Sequence, residues 1–165
     1  MAMARKDHLA EETAQAAEGN VAYFPASRPW TEEAGAVRLH GSRCGRCGGV
    51  AFPAHKACPS CGAESGQDAV LLSPIGTLYS FSEIHVAPKG FAAPYVVGYV
   101  DLPEGVRLFG QIEGSAAALR IGQQVAVVLG PVRAEAGSAP ARGGAGGAGA
   151  NVGRTVISYR FKGLP

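Results

Sequence analysis

The sequence predicts a mainly β protein in which an N-terminal four-cysteine zinc ribbon is followed by a five-stranded OB-fold barrel. Three observations carry that expectation. Two Cys-x-x-Cys-Gly knuckles, Cys44/Cys47 and Cys58/Cys61, face each other across a short insert. From Gly76 onward, apolar and polar residues alternate in runs of strand length. Between the third and fourth of these runs, Ser115–Leu119 allows no more than one helical turn, which suits the short crossover of a Greek-key barrel.

Taken in order, residues 1–20 form a flexible tail: Ala, Glu and Gln favour helix, but Leu9 is almost alone as an apolar anchor. Residues 21–73 form an aromatic arm and the ribbon. Tyr23, Phe24 and Trp30 sit among prolines in an extended segment, where they either pack on the ribbon or dock on a partner. Ala36–Arg43 alternates as a strand into the first knuckle, and Val50–Phe52 is a second strand ended by Pro53.

Four thiolates at this spacing close a tetrahedron around zinc, with Zn–S bonds of about 2.3 Å. Gly48 and Gly62 follow the second cysteine of each knuckle, where the backbone turns with positive φ so that amides can face sulfur. Arg43, Arg46 and Lys56 are placed to compensate the negative charge of the site. Disulfides would require an oxidising compartment, and no secretory signal precedes the cysteines. A thioredoxin-like pair would use a single Cys-x-x-Cys, and rubredoxin-type iron knuckles lie farther apart in sequence. With all four ligands protein-borne, the zinc is structural and holds no open position for chemistry.

Residues 74–165 read as the barrel, after a linker strand at 68–74. The strands are Thr77–Val86, Tyr95–Leu102, Val106–Glu113, Val125–Leu129 and Thr155–Phe161, with Gly98 and Gly110 where the sheet coils sharply. The Ala/Gly-rich stretch 134–153 lacks periodicity and is expected as a mobile or partner-ordered loop. Neither half looks self-sufficient, because so small a ribbon has little core without its metal.

Composition excludes several function classes. The 165 residues carry a formal net charge of only +2, too little for a dedicated nucleic-acid binder. No apolar run spans a bilayer, and every cysteine lies in a knuckle, so a soluble cytoplasmic protein is expected. Catalytic residues are expected to be absent. His8 lies in the tail, His40 and His85 read as structural strand residues, and His55 as a solvated loop residue. Asp101, Glu104 and Glu113 mark solvated positions along a hairpin. Ser80, Ser82 and Ser158 lack a nucleophile elbow, and the glycines at 143–149 match no phosphate-binding loop.

Several stretches together resemble the family of domain of unknown function 35: Arg43-Cys-x-x-Cys-Gly48, Phe52-Pro53, Cys58-Pro-x-Cys-Gly62, Gly76-Thr-x-Tyr-Ser-Phe81, Gly90-Phe-x-x-Pro-Tyr-Val-Val97, Glu104-Gly-x-Arg-Leu108, Gly110, Gly114 and Arg120-Ile-Gly122. The likeness covers roughly residues 36–130. His55 stands where the family often has arginine, and the 134–153 insertion is longer than usual. The resemblance implies a zinc-ribbon OB-fold companion of thiolase-superfamily acyl-CoA enzymes: β-ketoacyl-CoA thiolases such as the benzoylsuccinyl-CoA enzyme, lipid-transfer-type aldolases, or hydroxymethylglutaryl-CoA synthase assemblies. In such a hetero-oligomer the large subunit supplies the nucleophile and its base. The small one braces it and helps shape the acyl-CoA pocket, so a CoA thioester reaches this chain only through its partner.

Trp30, Phe91, Pro94 and Tyr95 are the expected partner-interface residues. The alternative is a binding module in which the OB face holds single-stranded nucleic acid or a nucleotide such as a CoA adenylate. Tyr79, Phe81, Tyr95, Tyr99 and Phe109 could supply stacking platforms. Alternation is expected to bury many of them, and Lys89 and Arg107 make a thin cationic groove.

Overall fold

The computed structural model describes residues 21–135 and 153–165. The expected tail at 1–20 and nearly all of the loop at 134–153 lie outside the described residues. Ten strands and one short 3-10 turn follow in order: β1 (Val21–Tyr23), β2 (Trp30–Glu33), β3 (Ala36–Cys44), β4 (Val50–Ala51), β5 (Gln67–Leu71), β6 (Ile75–Ile84), β7 (Tyr95–Asp101), β8 (Arg107–Glu113), the turn Ala116–Ala118, β9 (Gln124–Glu135) and β10 (Arg154–Gly163).

Strands β6 to β10 close into the expected five-stranded barrel. β6–β7 and β7–β8 are antiparallel hairpins. β8 pairs in parallel with the far end of β10, β10 pairs with β9, and β9 returns to β6 through Ile75↔Ala126. The inward residues are those the period of two selects: Leu78, Val96, Val100, Leu108, Ile112, Val125, Val127 and Phe161 are all buried. Gly98 and Gly110 face each other across β7 and β8. A Cβ at Gly98 would lie 2.5 Å from the Ser80 carbonyl oxygen, and one at Gly110 would lie 2.9 Å from the Phe161 ring. Only glycine lets the backbones approach this closely where the barrel curls.

The ribbon forms a second, smaller sheet around β3. The stretch expected as a linker strand is part of it: β5 pairs antiparallel with the second half of β3, from His40↔Leu71 to Cys44↔Gln67. β2 pairs with the first half of β3, and β4 pairs at Ser42↔Ala51 and Arg43↔Val50. The two sheets share one core, in which Trp30, Val37, Leu39 and Leu72 join the barrel interior.

The arm is held at both of its ends. β1 adds to β10 in parallel, Val21↔Thr155 to Tyr23↔Ile157. The Phe24 amide then donates to the Ile157 carbonyl at 2.9 Å. Trp30 is only 8% exposed and packs near Tyr23, with ring centroids 6.4 Å apart. Of the two fates open to the arm aromatics, Trp30 takes the interior and Phe24 stays outside.

Candidate metal centre and apolar groove

The four knuckle sulfurs lie within 4.8 Å of one another. Cys44 Sγ is 3.8 Å from Cys61 Sγ, and Cys47 Sγ is 3.6 Å from Cys58 Sγ. A tetrahedron with metal–sulfur bonds of about 2.3 Å has edges of about 3.8 Å. The cluster therefore has the size and donor set of a tetrathiolate metal site.

The two knuckles are built alike. The Gly48 amide donates to the Cys44 carbonyl at 2.8 Å, and the Gly62 amide to the Cys58 carbonyl at 2.9 Å. Both glycines have φ near +70°, at 72° and 71°. The backbone amide of Cys47 points at the Cys44 sulfur and, with smaller contributions, pulls that thiol down to about 6. The Cys61 amide lowers Cys58 in the same way. Cys47 behaves differently: the Gly49 amide draws its pKa down, but the surrounding thiols of Cys61 and Cys58 together with burial push it up to about 11. Four neighbouring thiols cannot all ionise without a cation among them, and a bound metal resolves that conflict.

Two polar side chains brace the cluster. Arg43 donates to the Gly48 carbonyl at 3.4 Å, bracing the knuckle. Gln67, on β5, places Nε2 3.6 Å from Cys44 Sγ. No motif marks Gln67, because its position comes from the pairing of β5 with β3.

A second feature is a groove of about 700 Å³ where arm, ribbon and barrel meet. Its walls are aromatic: Phe24 from the arm, Phe52 from the ribbon, and Phe91, Tyr95, Phe109 and Tyr159 from the barrel. The Phe24–Pro25 and Phe52–Pro53 peptide bonds at its edge are cis. Phe91 and Tyr95 stack at 5.6 Å with planes 25° apart. Three polar side chains along the walls bond to the chain's own carbonyls. Ser158 Oγ donates to the Phe24 carbonyl at 2.6 Å, Tyr159 Oη to the Phe109 carbonyl at 3.2 Å, and Gln111 Nε2 to the Val132 carbonyl at 2.8 Å. Burial raises the Tyr159 phenol above its usual range.

Of the expected interface residues, Phe91 and Tyr95 line this groove, while Pro94 lines a smaller hollow that also includes Tyr95. Trp30 lies in the core instead. The expectation that alternation buries many of the barrel aromatics needs correction. Tyr79, Tyr99 and Phe109 are 51%, 45% and 52% exposed. β7 turns its valines at 96 and 100 inward and its tyrosine at 99 outward, and Tyr99 meets Phe109 at 5.1 Å. Arg107 lies 3.4 Å over the Tyr79 ring while both arms of its guanidinium bind Asp101, at 2.6 and 2.9 Å.

The described histidines and Ser158 each have local partners or lie on the surface. His40 shares a 3.3 Å hydrogen bond with Thr31, His85 lies beside Glu83 on the surface, and the His55 amide donates to Ser42 Oγ. Ser158 is committed to the arm. No helix among the described residues is long and apolar enough to cross a membrane.

A family model described as the C-terminal OB-fold domain of ChsH2 matches residues 69–130. Over 158 residues, 95% of this chain and 97% of the relative, the chain is 32% identical to the benzoylsuccinyl-CoA thiolase subunit BbsA of Geobacter metallireducens. It is 39% identical to a DUF35 domain-containing scaffold protein of Methanocaldococcus jannaschii, over 62% of this chain and 74% of that one. The chain belongs to the family of domain of unknown function 35. Among solved structures, a chain of the Ltp2-ChsH2(DUF35) aldolase is similar at 28% identity and a TM-score of 0.49, covering 73% of this chain and 84% of that one. The matched 69–130 segment of this family member runs from β5 into β9. The other walls of the groove, Phe24, Phe52 and Tyr159, come from outside it.

Proposed function

We propose that this chain is the non-catalytic, zinc-binding subunit of a heteromeric thiolase-type acyl-CoA enzyme of the reducing cytoplasm. It stabilises the catalytic subunit and helps shape its acyl-CoA pocket. The observation that carries this reading is the end-to-end likeness to a protein named as a thiolase subunit, 95% of one chain against 97% of the other. The chemistry of the site supports it. Four thiolates saturate a tetrahedral ion, which then fixes the ribbon and offers no position for substrate. On this reading the nucleophile and base of acyl transfer belong to the partner polypeptide.

The exposed Tyr79, Tyr99 and Phe109 favour a second reading, a nucleotide-binding OB module. It is the weaker one, because the arginine beside these rings is already neutralised by Asp101. The test is co-expression with the thiolase-type catalytic subunit of the same genome. The expected result is a stable hetero-oligomer whose thiolysis activity is lost without this chain. Turnover of an acyl thioester by the isolated chain, or full activity of the large subunit alone, would overturn the reading.

A further inference from the structure

We infer that the catalytic subunit docks on one continuous face of this chain, made of the groove and the outer surface of β6–β8, and that it inserts a neutral, apolar segment of its polypeptide there. This rests on the functional reading above and names the surface that serves it.

The face is continuous because Phe109 belongs to both parts: it lines the groove and packs against Tyr99 on the open sheet. Phe24, 59% exposed, also lines the groove. Side chains this large are costly to leave in water, and aromatic clusters of this kind mark the desolvated centres of protein interfaces.

Hydrogen-bond bookkeeping decides what the occupant is. A nucleotide or the CoA diphosphate needs free donors and an uncompensated cation. Here the donors of Ser158, Tyr159 and Gln111 are spent on the chain's own carbonyls. Both guanidiniums on this face are held by carboxylates, Arg107 by Asp101 and Arg133 by Glu135, each at 2.6 Å. What remains is an apolar hollow with neutralised ion pairs around it. That is the anatomy of a protein–protein contact, with a dry centre and a polar rim. The complementary surface is a neutral one that brings aliphatic or aromatic side chains and asks for no charge.

The test uses the full-length, metal-loaded chain and its co-expressed thiolase-type catalytic subunit, with affinity measured by titration. Phe24→Glu and Phe109→Glu should each weaken binding by about tenfold or more, as expected for central aromatic anchors. Leu71→Glu, at a residue 39% exposed on β5, outside both the groove lining and β6–β8, should bind as the wild type does. Circular dichroism and the cobalt-substituted thiolate spectrum should be unchanged in all three. Phe24→Ser and Phe109→Ser remove the ring without adding charge and carry the test if a glutamate prevents folding. Wild-type affinity in the Phe24 and Phe109 variants would overturn the inference and leave the functional reading intact. Competition by free CoA that is lost in Phe109→Ser would do the same, by showing a nucleotide occupant. Failure of the wild-type chain to bind the catalytic subunit at all would sink the functional reading itself.

Discussion

Phe52 meets Tyr159 edge to face, with ring centroids 5.5 Å apart and planes at 87°. Phe52 follows the first knuckle by only a few residues, and Tyr159 in turn lies edge-on to the buried Phe161 at 6.1 Å. A chain of three rings thus runs from the four-cysteine ribbon into the barrel core.

Phe52→Ala should cut this chain at its ribbon end. Phe52 is half-buried, so the expected loss of stability is about 1–3 kcal/mol, below the full cost of emptying a core phenylalanine. Metal stoichiometry should stay at its wild-type value, because the four sulfurs do not depend on the ring. Urea unfolding followed by tyrosine fluorescence, alongside cobalt absorbance, checks both statements.

Metal removal should act on the ribbon first. Chelation, or Cys58→Ser, should abolish binding of the ion, since three thiolates no longer saturate it. Amides of β5 that pair with β3 should then lose hydrogen-exchange protection, while those of the β7–β8 hairpin keep theirs. Exchange measured with and without chelator, read by peptide mass, distinguishes this from global unfolding.

The Asp101–Arg107 pair predicts an acid-limb effect. The hydrogen bond and charge of Arg107 hold the Asp101 carboxyl below the usual carboxylate range. A depressed folded-state value means that the pair stabilises the fold above the unfolded carboxyl value of about 3.9 and loses that contribution as pH falls through the folded value. The stability gap between wild type and Asp101→Asn should be constant from neutral pH down to about 5 and should close below about 4. Because both side chains are nearly half exposed, the gap should be small. Urea midpoints across that range measure it.

The four-cysteine cluster and the barrel strands are legible because both are local. Two knuckles with their glycines, and an alternation of period two, are complete within short windows such as 44–62 and 95–102. Which face of β7 points inward is not. Val96 and Val100 alternate with Val97 and Tyr99, so both faces read as apolar, and the small interior of the barrel chose the valines. The register irregularity between Leu78 and Ser80 interrupts the alternation of β6 just beside Tyr79. The groove was invisible for a different reason: Phe24, Phe52, Phe109 and Tyr159 are brought together only by the closed topology. From the arm alone Trp30 reads as an interface residue, because nothing in that segment signals that the core extends beneath it.

Glu104, expected as a solvated turn residue, does structural work at the junction of the two sheets. Its Oε1 accepts from the Ser73 amide at 2.8 Å, between β5 and β6, while Oε2 is buried without a protein partner. Glu104→Ala should cost about 1–2 kcal/mol by orphaning that amide. Glu104→Gln keeps an acceptor for Ser73 and should lie closer to the wild type. Comparing urea midpoints of the two variants separates loss of the hydrogen bond from loss of the charge.

The parallel seam of β1 on β10 joins residues that lie 134 positions apart, as in the bond from Ser158 to Phe24. The knuckles, by contrast, join cysteines only 17 positions apart. On the ribosome the four-cysteine knuckles can therefore meet long before their neighbours are covered, whereas the arm must wait for residues 154–163 to emerge. Long-range closure of this kind is slow, and until it happens the arm aromatics stay uncovered. That interval is when a chaperone, or the companion subunit itself, has most to gain by catching the newborn chain.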